Sequence, residues 1–146
     1  MHTQSGLIQH STTTTGGQLR RAQAASLAAL GITLWLLFAL LIHFAIPPAW
    51  FSSPPLSPLL FAAAVPGAWL LVQLCRQTAA LTSEQLLPGV AVASMTALLC
   101  DGTALTWAPR LYGGDAASIL PAAAWLFWGA GLCLALAFVM AGPKTT

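Results

Sequence analysis

An aspartate, Asp101, stands well inside an apolar run, Leu86 to Gly114, that is long enough to cross a bilayer. A carboxylate at the centre of a membrane helix costs about 2.5 to 3.5 kcal/mol on insertion scales, and acids in such positions usually mark a pathway or a polar partner. Asp101 lies six residues before Trp107, so about 9 Å of helix separate it from the nearer boundary. The carboxyl group is therefore predicted to be either a structural contact or a site for a proton, an ion or a ligand.

Two basic side chains are predicted at a depth from which they could meet this acid. His43 stands three residues before Ile46, near the end of the first apolar run, and Arg110 follows the third run closely enough to reach back. An opposite charge would favour the ionised carboxylate and burial would favour the neutral acid, and the sequence leaves both states open. Asp101, His43 and Arg110 together form the candidate intramembrane polar site.

Enzymatic chemistry has little support in the sequence. General acid–base catalysis needs at least two positioned titratable groups, and Asp101 with His43 is the one such pair predicted in the membrane. Cys75, Cys100 and Cys133 stand in separate apolar runs, without a Cys-x-x-Cys pair or a Cys/His cluster at metal spacing. A membrane haem normally needs two histidines, and the apolar runs contain only His43. We predict no catalytic residue, no metal and no cofactor.

The composition places the chain in a membrane. Of its 146 residues 58% are hydrophobic and 5% charged, whereas about a quarter of the residues in a soluble domain are charged. The net charge of +2 is too small for a nucleic-acid footprint, so nucleic acid is excluded as a partner.

Four apolar runs predict an all-α membrane protein, a bundle of four transmembrane helices. The 23 residues from Ala24 to Ile46 would span about 34 Å as a helix, against a hydrocarbon core of about 30 Å. Residues 1–19 are predicted to be a disordered polar tail, residues 20–142 the membrane domain, and residues 143–146 a short tail. The four helices are predicted at residues 24–46, 57–75, 84–107 and 119–141.

The connections between these runs carry recognisable end signals. Five prolines between Pro47 and Pro58 predict a short loop at the bilayer surface. Thr82 and Gln85 stand at capping-box spacing and predict the start of the third helix. Asp115 or Ser118 is predicted to cap the fourth.

The basic residues predict the orientation. One side of the membrane would hold Arg20, Arg21, Arg76 and Lys144, and the other only Arg110. Positive charge is retained on the cytoplasmic side, so both termini are predicted to be cytoplasmic.

Small residues recur every four positions on the third and fourth helices. Such residues let membrane helices approach closely, and we expect packing seams inside one bundle or, alternatively, an interface between copies. The seam residues are Gly89, Ala93 and Ala97 in the third helix and Gly129, Cys133 and Ala137 in the fourth.

The second half of the chain resembles a family of small bacterial membrane proteins known as domain of unknown function 5367. The resemblance covers roughly Leu59 to Ala141. It is carried by the Leu87-Pro88-Gly89 opening, Asp101, the Pro109-Arg110-Leu111-Tyr112 turn and the stretch from Trp125 to Gly129. It implies a four-helix protein of the bacterial inner membrane, and it supplies no activity and no catalytic residues.

Two functions are compatible with these features. The short loops and small-residue seams favour an accessory or structural subunit that contacts the lipid bilayer and another membrane protein or a second copy. The alternative is a small proton-coupled transporter or exporter. Small multidrug transporters resemble this chain in size but rely on an acid in the first helix, so Asp101 in the third would have to substitute.

Overall fold

The computed structural model describes residues 18–47 and 49–142, and that part of the chain is helical with short connections. Four of its helices are long and apolar enough to cross a membrane, so the predicted all-α class with four such helices is confirmed. The predicted tails lie outside the described residues, apart from Gln18 and Leu19. The elements are α1 (Arg21–Ala45), α2 (Ala49–Ser52), α3 (Leu56–Thr78), α4 (Ser83–Trp107), a 3-10 turn (Pro109–Tyr112) and α5 (Ala116–Met140).

Several helices extend beyond their apolar runs. α1 begins at Arg21 instead of residue 24, α3 ends at Thr78 instead of residue 75, and α5 begins at Ala116 instead of residue 119. An apolar run marks the part of a helix that suits hydrocarbon, whereas the helix itself continues until its backbone groups are capped. Arginine and glutamine are good helix formers, so the polar flanks of α1 and α3 join the helix, and alanine does the same at the start of α5.

The sequence predicts a loop for the proline-rich connection, but the structure shows that part of it is helical. One helical turn, Ala49–Ser52, forms inside it, and the Trp50 N–H donates to the Pro47 carbonyl at 2.9 Å. Residues 49 to 53 contain no proline, and this leaves room for a single turn between the two proline pairs.

The two remaining connections follow their end signals. At the start of α4 the Gln85 side chain accepts from the Thr82 N–H at 3.3 Å, as one half of a capping box does. At the start of α5 Asp115 is the cap, because its carboxylate accepts from the Ser118 N–H at 2.9 Å. The connection from α3 to α4 contains Ala80 at φ +47°, a left-handed conformation that usually selects glycine after a helix.

The four long helices pack as two main pairs, α1 on α4 and α3 on α5, and α4 also contacts α5. α1 and α4 approach each other closely at Gly31, where a Cβ atom would overlap the Ala93 carbonyl oxygen. α1 and α3 make few contacts with each other. We call the end of the bundle that carries Gln85 and the termini of the described chain the Gln85 end, and the opposite one the Tyr112 end.

The predicted seam residues lie in the bundle interior. Gly89 is buried, and a Cβ atom there would press on the Leu81 side chain. Ala93, Cys133 and Ala137 belong to one buried apolar cluster toward the Gln85 end. The other two seam residues, Ala97 and Gly129, line a cavity between the helices.

Candidate functional site

Asp101 is the centre of a short hydrogen-bond chain near the Tyr112 end. The Tyr112 hydroxyl donates to Asp101 Oδ1 at 2.6 Å, and the Trp35 indole N–H donates to the same hydroxyl at 3.2 Å. Asp101 is 6% exposed and Tyr112 1%. The three side chains come from α4, the 3-10 turn and α1. The hydrogen bonds therefore connect the first long helix and α4 to the turn that precedes the last helix.

The local sequence explains why Tyr112 returns to Asp101. Pro109 begins the 3-10 turn directly after α4, where its missing N–H and fixed φ suit a first helical position. The turn folds back, with the Leu111 N–H donating to the Ala108 carbonyl at 3.0 Å. Gly113 at φ +107° then reverses the chain toward α5, a conformation open to glycine at little cost.

Tyr112 acts as a hydrogen-bond donor in this site. Burial raises the pKa of Tyr112, and the hydrogen bond to Asp101 raises it further. The phenol therefore stays protonated at neutral pH and can both donate to the carboxyl group and accept from Trp35.

A cavity of about 260 Å³ lies between α1, α3, α4 and α5, and Asp101 lines it. Among the described residues on its wall, Asp101 is the one charged side chain. Apart from Ser94, the remaining wall is almost entirely apolar, and it includes the aromatic side chains of Trp35, Phe38 and Trp125. The cavity is partly open, and it is bordered by α1 and α3, the pair of helices with few mutual contacts.

Polar and aromatic contacts hold the Trp125 ring in the cavity wall. The Trp125 indole N–H donates to the Leu60 carbonyl at 3.1 Å. The Trp125 ring meets Phe38 and Phe51 edge-on, each at a centroid distance of 6.1 Å. These contacts fix one aromatic face of the cavity wall.

The two basic residues predicted as partners of Asp101 lie elsewhere. Within residues 18–47 and 49–142 no ion pair joins Asp101 to His43 or Arg110. Both side chains line a second pocket, of about 220 Å³, which Tyr112 also lines. His43 is exposed and packs edge-on against the Phe44 ring at 4.5 Å. The structure thus brings His43 and Arg110 together, but not with the acid.

Sequence reasoning missed Trp35 and Tyr112 as the direct polar neighbours of the acid. Trp35 does offer a signal, since it stands in the middle of α1 instead of at an interface, and a buried indole N–H needs a partner. Tyr112 is the only tyrosine in the chain. In the described part of the chain no group of three His, Cys, Asp or Glu side chains could hold a metal ion.

No family model, curated protein or solved structure matches the chain. The resemblance to domain of unknown function 5367 therefore stays a prediction.

Proposed function

We propose that this protein is an integral membrane carrier that binds a small amphiphilic cation in its central cavity, with Asp101 as the counter-charge. The observation that supports this proposal is the single acid on the wall of a cavity that is otherwise almost entirely apolar. Buried polar groups in apolar pockets fix the orientation and the chemical class of a ligand. A carboxyl group selects a cation or a hydrogen-bond donor, and aromatic faces near it favour a cation as well.

The cavity volume limits the size of the ligand. A dry apolar cavity of about 150 Å³ holds benzene. A cavity of about 260 Å³ therefore takes roughly ten non-hydrogen atoms on the same scale. This is the size of a substituted benzyl ammonium ion, or of the cationic end of a longer amphiphile.

A cation and a proton would compete for the Asp101 carboxyl group, and this competition would couple cation binding to proton release. Asp101 can hold a proton or neutralise a cation, and it cannot do both at once. Binding of the cation would therefore release a proton, and protonation would release the cation. This property is what a proton-coupled exporter needs, and it agrees with the alternative that the sequence leaves open.

The orientation we propose follows the basic residues. Arg20, Arg21 and Arg76 lie at the Gln85 end and Arg110 at the Tyr112 end, so the Gln85 end would face the cytoplasm. The family resemblance favours a bacterial inner membrane. Asp101 would then lie nearer the outer side of that membrane.

Binding of benzyltrimethylammonium to the purified protein tests this function. Its neutral isostere, neopentylbenzene, has the same shape without the charge. We expect the cation to bind at least about tenfold more tightly than the isostere, and Asp101→Asn to remove that preference. Asp115→Asn makes the same chemical change at an exposed cap, and it should leave binding unchanged. Equal binding of the cation to wild type and Asp101→Asn would reject the proposal.

Transport is the second part of the test. In proteoliposomes with a pH gradient, we expect wild-type protein to move the cation against the proton flow and Asp101→Asn to abolish this flux. Correct insertion of the variant is checked by its unfolding transition. Cation binding without proton-dependent flux would leave a binding protein and remove the carrier function.

An accessory subunit is the second candidate function. The observation that favours it is that the polar chain from Trp35 through Tyr112 to Asp101 closes within one copy, as a purely structural contact would. This candidate predicts a stoichiometric membrane-protein partner in a pull-down from mild detergent. Recovery of the protein alone, together with cation binding, would favour the carrier.

A further inference from the structure

The pocket that His43 and Arg110 share lies outside the cavity and has a different chemistry. It is formed where α1 ends, where α2 begins and where the 3-10 turn passes to α5. Its volume is about 220 Å³. Both polar and apolar side chains line it, in contrast to the almost entirely apolar central cavity.

The charge in this pocket is positive. Arg110 and His43 line it, and no acidic side chain does so among the described residues. In the same part of the chain Arg110 makes no ion pair. The nearest acid in sequence, Asp115, directs one carboxylate oxygen to the Ser118 N–H and the other to the Ser118 hydroxyl. The guanidinium group therefore has its donors available for an anion.

The remaining wall is apolar and lies at the boundary of the helices that suit a membrane. Ile42, Ile46 and Phe51 supply this wall. Two exposed tryptophans stand at the same end, Trp107 at 78% and Trp50 at 42% exposure. Tryptophan favours the headgroup level of a bilayer, so the pocket lies at the depth of lipid phosphates.

We propose that this pocket binds the phosphate group of an anionic phospholipid. Arg110 would form the paired hydrogen bonds that a guanidinium makes to phosphate oxygens, and His43 would donate a further one. The apolar wall would receive the first part of an acyl chain. Free phosphate satisfies only the basic half of the pocket, whereas a phospholipid satisfies both halves. This proposal does not depend on the ligand of the central cavity.

Native mass spectrometry with short-chain lipids tests the site. Dioctanoyl phosphatidylglycerol is the probe, phosphatidylcholine of the same chain length carries phosphate without net charge, and inorganic phosphate lacks the chains. We expect phosphatidylglycerol to bind at least about tenfold more tightly than either comparison ligand. Inorganic phosphate that competes as well as the lipid would assign the pocket to soluble phosphate and reject the lipid.

Matched variants locate the binding. Arg110→Gln is expected to weaken phosphatidylglycerol binding about tenfold, and His43→Gln is expected to weaken it less. Arg76→Gln removes the same charge from the Gln85 end and should retain wild-type affinity. An unchanged affinity in Arg110→Gln, or an equal loss in Arg76→Gln, would overturn the proposal. The unfolding transition of each variant shows whether it is folded.

Discussion

Removal of a single hydroxyl group tests the polar chain in the bundle. Tyr112→Phe keeps the buried ring but leaves Asp101 without its 2.6 Å donor and Trp35 without its acceptor. Polar pairs inside membrane proteins contribute on average about 0.6 kcal/mol and at most about 1.7 kcal/mol, whereas bonds to charged groups in water-soluble proteins contribute about 1.5 to 3 kcal/mol. The bond is short and the acid is 6% exposed. We therefore expect Tyr112→Phe to lose about 1.5 kcal/mol, near the top of the membrane range.

The assay is reversible unfolding by sodium dodecyl sulfate in mixed micelles, followed by helical circular dichroism. A double-mutant cycle with Asp101→Ala, which removes the acceptor, should give a coupling energy of about 1 kcal/mol or more, because each variant alone breaks the same contact. Thr103→Val is the matched control, since it removes an exposed hydroxyl that bonds only to the Leu99 carbonyl of its own helix, at 2.7 Å. A coupling energy near zero, or an equal loss in the control, would refute the structural role of this contact.

Three further predictions concern the same fold. Because Tyr112 is the only tyrosine, tyrosinate absorbance reports it alone. The Tyr112 phenol should titrate near pH 10 in the unfolded protein and at a higher pH in the folded protein. Its contribution to the free energy of unfolding should therefore be fully present below about pH 10 and be lost as the pH rises further. A transition near pH 10 in the folded protein would contradict the burial of Tyr112. Gly31→Ala should destabilise the protein by about 1 to 2 kcal/mol in the detergent unfolding assay, because the added methyl group would press α1 away from α4. Gly131 is exposed, and Gly131→Ala should be neutral or stabilising. Equal effects of the two substitutions would rule out the close approach of α1 and α4. Ala80→Gly should stabilise the protein by about 0.5 to 1 kcal/mol in that assay, since glycine relieves the left-handed backbone, and a loss of stability would contradict this conformation.

The apolar runs predicted the number of long helices. The capping-box spacing of Thr82 and Gln85 predicted the start of the third, and Gln85 makes the expected capping bond. The cap of the fourth was left open between Asp115 and Ser118, and the structure selects Asp115, so that this helix begins three residues earlier than predicted. The short helix in the proline-rich connection could not be predicted, because a single turn depends on local backbone geometry more than on composition.

The candidate site was only partly predictable. The unusual acid was visible because a carboxyl group in an apolar run is costly. Its neighbour was not, because depth alone gives a choice of partners and favoured the basic residues His43 and Arg110. The structure selects Tyr112 because the turn after Pro109 reverses within four residues and carries the phenol back over the end of α4. Such a reversal depends on the backbone geometry of the folded chain, so the contact between Tyr112 and Asp101 could not be predicted from the sequence.

The bond between Trp35 and Tyr112 has a consequence for biosynthesis. The two residues are 77 positions apart, so the first long helix is translated long before its polar partner. Asp101 likewise is translated 11 residues before its donor. The Trp35 indole and the Asp101 carboxyl group can meet Tyr112 only after the 3-10 turn that precedes α5 has been translated. A chain truncated before Tyr112 would leave both groups without this shared partner, and we expect such a chain to assemble incompletely.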